Sequence, residues 1–151
     1  MTNKTSGNVA KIMQSIQSEL KAPKGQTNKF GGYKYRSCED ILEAVKPLLN
    51  KYNCFLTISD EVVEVGGRVY VKTTATVHES HSDSIAETTA YARESEVKKG
   101  MDEAQITGSA SSYARKYALN GLFAIDDTKD PDATNTHGKE KSRAVIAPTE
   151  F

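Results

Sequence analysis

The sequence has 151 residues, enough for one domain whose core needs no disulfide or metal to hold it. Twenty Lys and Arg balance twenty Asp and Glu, which excludes a protein that coats nucleic acid by bulk charge. No run reaches the ~18 apolar residues of a membrane span and no secretory signal opens the chain, so a cytoplasmic protein is expected.

Neutrality hides an asymmetry. Up to residue 36 there are seven basic residues (Lys4, Lys11, Lys21, Lys24, Lys29, Lys34, Arg36) and one acid, Glu19. Between Asp126 and Asp132 four acids face Lys129 alone. Cys38 and Cys54 follow no metal-ligand spacing and read as thiols.

Val9, Ile12, Met13, Ile16 and Leu20 share one face of a helix expected from about Asn8 to Lys21, which Pro23 and Gly25 end. A short aromatic segment, Phe30 to Arg36, follows. Ser37 and Asp40 form a capping-box pattern ahead of a second apolar face (Ile41, Leu42, Val45, Leu48, Leu49, Tyr52), with a kink or broken last turn expected at Pro47.

The period then changes to two. Phe55 to Val65 is strand-like, Gly66-Gly67 marks a two-residue turn, and Arg68 to Glu79 alternates cleanly. Val69, Val71, Thr73, Ala75 and Val77 point one way; Arg68, Tyr70, Lys72, Thr74, Thr76 and His78 point the other. A turn at 80–84 leads to a third strand, Ile85 to Glu94. This is an antiparallel meander with one face prepared for helices.

Asp102 caps a last helix expected to run to about Asn120, with Gly121 as its stop. Its small face (Ala104, Thr107, Gly108, Ser111, Ala114, Ala118) is expected to lie close on the Ala86 to Ala92 face of the meander, which would offset the ~1 kcal/mol that Gly108 costs a helix. From Asp126 the chain is polar and aperiodic. The expectation is an α+β core over 1–125 and an acidic, disordered tail over 126–151.

Chemistry is narrowed first by exclusion. There is no phosphate-binding G-x-x-x-x-G-K-[ST] loop; His78, His81 and His137 are scattered; the serines lack a His and Asp set. No catalytic residue, cofactor or metal is expected. Asp126, Asp127, Asp130 and Asp132 leave one enzymatic alternative, a Mg²⁺-dependent nuclease, although catalytic metals need rigid ligands and this stretch lies outside the expected core. A protein-interaction module using the sheet face is the other alternative.

The positive signal is cations interleaved with rings. Tyr33-Lys34-Tyr35-Arg36, if extended, places rings and cations on opposite sides, as stacking on unpaired bases beside phosphate contacts requires. The solvent face of the meander adds Arg68, Tyr70, Lys72, Tyr91 and Arg93. On the last helix Tyr113, Arg115, Lys116 and Tyr117 lie beside or away from the small face, and for Tyr117 an ordinary core or rim position is expected.

Gly108-Ser-Ala-Ser-Ser-Tyr-Ala-Arg-Lys-Tyr-Ala-Leu119 resembles the phage Erf (essential recombination function) family of single-strand annealing proteins. Tyr33-Lys34-Tyr35, Asp40-Ile41, Pro47-Leu48-Leu49, Gly100-Met101-Asp102, Leu122 to Asp127 and Asp130-Pro131-Asp132 extend the likeness over Val9 to Asp132. The resemblance implies ATP-independent annealing of complementary strands in the host bacterial cytoplasm, without chemistry on the DNA, by a β-β-β-α core assembled into rings or filaments. It implies a groove floored by Arg115 and Lys116, with Lys72, Arg93, Lys98 and Lys99 on its walls. The DNA-binding residues expected are thus Tyr33, Lys34, Tyr35, Arg36, Lys72, Arg93, Lys98, Lys99, Tyr113, Arg115 and Lys116. The expected partners are single-stranded DNA and further copies of the chain, with a host or phage single-strand-binding protein left open. Many relatives continue into a longer C-terminal region, whereas this sequence stops at Phe151, so docking by such a region is not expected.

Overall fold

A computed structural model describes residues 8–95 and 102–125. The expected tail and the acidic cluster at 126–132 lie outside the described residues, as do Lys98 and Lys99.

Helix α1 (Val9–Glu19) buries Val9, Met13 and Ile16. Two residues of β1 (Gln26–Thr27) pair antiparallel with β2 (Lys34–Tyr35), so the aromatic segment is the return arm of a small hairpin. Helix α2 (Cys38–Lys51) starts on the expected capping box: Asp40 N–H donates to Ser37 Oγ at 3.1 Å, and Ser37 N–H donates to Asp40 Oδ2 at 2.9 Å. The last turn is not broken at Pro47; the helix continues to Lys51. Glu43, whose carbonyl loses its usual donor, is exposed along with Pro47, on the side of the helix open to solvent.

The meander is β3 (Cys54–Val65), β4 (Arg68–Glu79) and β5 (Ile85–Arg93), in that order and antiparallel throughout. Val65 pairs with Arg68 across Gly66 and Gly67, whose φ angles of 59° and 78° are those of the two-residue hairpin their sequence predicts. Val71, Thr73, Ala75 and Val77 are buried beneath the helices as the alternation requires.

Helix α3 (Glu103–Leu122) opens on a second capping box between Asp102 and Gln105 and crosses β4 and β5. Its buried face agrees with the expected one at Ala114 and Ala118 and departs from it elsewhere. Ile106 is buried, Ala110 and Ala114 meet Val71 and Ala92 of the sheet, and Ala118, Leu119 and Leu122 turn into the main core with Ile16, Ile41, Val45 and Phe123. Ala104 and Gly108 are exposed, and a Cβ built on Gly108 meets nothing within 4 Å, so close packing does not offset that glycine. Close approach occurs instead at Gly121, where a Cβ would lie 3.0 Å from Thr88 Cγ2.

Gly121 is therefore inside the helix rather than its stop. The left-handed residue after the helix is Ala124 (φ 54°), and Ile125 N–H closes the end on Asn120 O at 2.9 Å. Phe123, Ile16, Ile41 and Leu119 are among the largest fully buried side chains, each worth about 1.5–3 kcal/mol of burial. Cys38 and Cys54 are free and buried, and burial pushes both thiols up, so they are poor nucleophiles at neutral pH. No helix among the described residues is long and apolar enough to cross a membrane.

Candidate nucleic-acid interface

The residues singled out in the sequence fall into separate places. Arg115 projects from α3 toward β3, where Asp60 shares the inward parity of Leu56 and Ile58. Arg115 donates to Asp60 Oδ2 through Nε (3.3 Å) and Nη2 (3.2 Å), Ser111 Oγ donates to the same oxygen at 2.6 Å, and Thr73 Oγ1 donates to Oδ1 at 2.7 Å. Burial by itself raises the Asp60 carboxyl, but the hydrogen bonds from Ser111, Thr73 and Arg115 outweigh it and hold the group below the usual carboxylate range. This cluster ties β3, β4 and α3 together.

Lys116, the next residue, goes the other way. Its ammonium stands 5.6 Å from the centre of the Tyr35 ring and donates to Arg36 O at 3.4 Å. Burial lowers its pKa, and the positive charges of Arg36 and Lys24 lower it further; no carboxylate is among its partners in the described residues. A partly buried cation pressed by other cations is stabilised by an anion placed against it.

Arg36 is not the exposed cation that the alternating segment predicts. It is 9% exposed, and its Nε donates to the carbonyl of Ala22. The reason is the short span of β2, which ends at Tyr35 so that the chain turns inward toward α2. Arg36 then lines a cleft of about 380 Å³ with Lys21, Pro23, Phe123 and Ile125. Tyr33 and Lys34 are exposed as expected, and the Tyr33 and Tyr35 rings meet edge to face at 6.3 Å.

A second aromatic surface flanks the open edge of β5. Tyr113 and Tyr117 stack at 6.2 Å with an interplanar angle of 26°, and both are about half exposed, so Tyr117 is not a core residue. With Tyr91, Arg93, Ile106 and Ala110 they line a cleft of about 350 Å³. Lys72, between Glu61 and Tyr91 in the register, lies on the face of the sheet turned away from α3. Among the described residues no cluster of three His, Cys, Asp or Glu offers a metal site.

Sequence reasoning passed over Lys24 and Asp60. Lys24 was one cation among many in the basic stripe. Asp60 had a usable signal, since a carboxylate at an inward strand position needs a partner across the core.

The family model of the ERF superfamily matches residues 9–150. The chain belongs to the ERF superfamily. A relative from Salmonella phage P22, the "Essential recombination function protein", is 57% identical over 137 residues, which cover 91% of this chain and 64% of the relative. The ERF match takes in both α3 and the hairpin, the two elements that bring Lys116 and Tyr35 together.

Proposed function

We propose that the protein binds single-stranded DNA and anneals complementary strands without ATP, in phage recombination. The observation that carries this reading is the Lys116 ammonium, set over the Tyr35 ring among Arg36 and Lys24 with no carboxylate partner in the described residues. Phosphates are anions that such a cluster takes, and exposed tyrosines nearby supply stacking surfaces for unpaired bases. Neutralised phosphates release counterions and lower the repulsion between two strands, so bases left free can test pairing. The name and 57% identity of the phage P22 relative support a place in recombination. The open edges of β3 and β5 support assembly of several copies into a ring or filament.

The test mixes the protein with two complementary fluorescent oligonucleotides across a salt series without nucleotide. Pairing faster than the protein-free control, with full-length strands and loss of the effect at high salt, is the expected result. Binding without acceleration would reduce the protein to a passive binder. Shortened strands that depend on Mg²⁺ and vanish with Asp127→Ala would make it a nuclease.

A further inference from the structure

The hairpin that carries Tyr35 ends in a feature the cation cluster does not explain. Phe30, at its tip, is the most exposed large apolar side chain among the described residues, at 102% of its reference area. A ring in that position forgoes the burial worth about 1.5–3 kcal/mol to a phenylalanine, and nothing among the described residues covers it.

The tip is nevertheless built, not loose. Five hydrogen bonds converge on Asn28: its N–H donates to Tyr33 O (2.8 Å), its carbonyl accepts from Gly32 N–H (2.7 Å), its Oδ1 accepts from Phe30 N–H (2.8 Å) and Gly31 N–H (2.7 Å), and its Nδ2 donates to Tyr33 OH (3.0 Å). Gly32 takes the left-handed conformation that closes the loop (φ 68°), and a Cβ on Gly31 would strike the Tyr33 ring at 2.5 Å. A ring presented by a preformed loop loses little freedom when something covers it.

The surrounding charge selects the occupant. Residues 20–36 hold five basic side chains (Lys21, Lys24, Lys29, Lys34, Arg36) and no acid, and Lys29 and Lys34 flank the tip. An occupant that offers flat apolar faces along an anionic backbone is unpaired nucleic acid. We propose that Phe30 is a base-stacking finger, its ring lying on an unpaired nucleobase while Lys29 and Lys34 hold adjacent phosphates. This rests on the reading of the protein as a single-strand binder, and it adds a contact outside the Lys116 cluster. Because every base has a stacking face, the contact carries no sequence preference.

The chain contains no tryptophan, so Phe30→Trp introduces a single reporter at the tip of the full-length protein. The probes are a labelled oligo(dT), followed by anisotropy, and an abasic oligomer of equal length. Expected are indole quenching that tracks saturation by oligo(dT) but not by the abasic strand, and Phe30→Ala binding about 5- to 150-fold weaker, the loss of one base stack, with an unchanged salt slope. The urea midpoint of Phe30→Ala should equal that of the parent, since the ring touches no core. Binding by anisotropy with unaltered indole emission and undiminished Phe30→Ala affinity would overturn the finger and leave the single-strand reading standing. No binding by the parent protein would overturn both. A blue shift that grows with protein concentration in the absence of DNA would assign the ring to a second copy and overturn the proposal.

Discussion

Asp60 holds Arg115 at 3.2 Å, whereas Lys116, one residue on, is met by Arg36 and Lys24, so two adjacent cations have different tasks. Lys116→Ala is expected to weaken oligonucleotide binding and to reduce the slope of log affinity against log salt by about 0.7, the share of one phosphate on a single strand. Arg115→Ala should instead cost about 1 kcal/mol of stability in a urea melt and change that slope less, because its charge is already partnered. The Asp60 carboxyl, held below its ordinary value, contributes stability in full above about pH 4, the value of a free carboxyl, and loses it as pH falls through the lower folded value. Asp60→Asn should therefore lower stability at neutral pH and flatten the acid limb of a stability–pH curve. An unchanged acid limb would show that the cluster at Asp60 is not formed in solution.

The elements differ in how far their sequence announces them. The capping box at Ser37, the Asp102 cap, the Gly66-Gly67 hairpin and the alternation of β4 were legible because each depends on a local rule: one side-chain oxygen on one N–H, one positive φ, one period. The orientation of α3 was not legible. Small residues run nearly around that helix, and its buried side drifts from Ala110 and Ala114 on the sheet to Ala118, Leu119 and Leu122 in the core. Only the path of the helix over the sheet, a tertiary property, chooses among them. Gly121 accordingly takes the close-packed place expected of Gly108, and Ala124 the helix end expected of Gly121. Gly108→Ala should raise stability by about 0.5–1 kcal/mol, since the new methyl meets open space, while Gly121→Ala should gain less or lose, since its methyl must displace Thr88. Ala124→Gly should also stabilise, by about 0.5–1 kcal/mol, by relieving a left-handed alanine. Urea midpoints of the three variants against the parent decide all three.

The layout of the candidate interface was not legible in the sequence: Arg36 is buried, Arg115 is partnered and Lys72 is on the far face of the sheet. Layout depends on which way each side chain leaves its element, and periodicity says nothing of what it meets there. For the whole molecule, Lys24 and Lys116 at the cluster together with Lys29 and Lys34 at the hairpin tip imply a salt slope of about −3 per bound chain, modest beside that of a protein with a uniformly basic surface. A measured slope much steeper would mean that Arg36, Lys72, Arg93 or a second chain shares the strand.

The number of strands has a consequence of its own. A meander of three, an odd count, leaves outer edges that run in the same direction, β3 at one side and β5 at the other. Keep the helices on one side, and β5 can meet a neighbour in two ways only. Against that neighbour's β5 it pairs antiparallel, and the two-fold pair has consumed its own joining edge. Against β3 it pairs parallel, and each addition regenerates the edge just used. Growth of the second kind has no intrinsic end: its size is set by whether the small turn between successive copies adds up to a full circle, so a single residue that alters that turn would change the count of copies without altering any copy's fold.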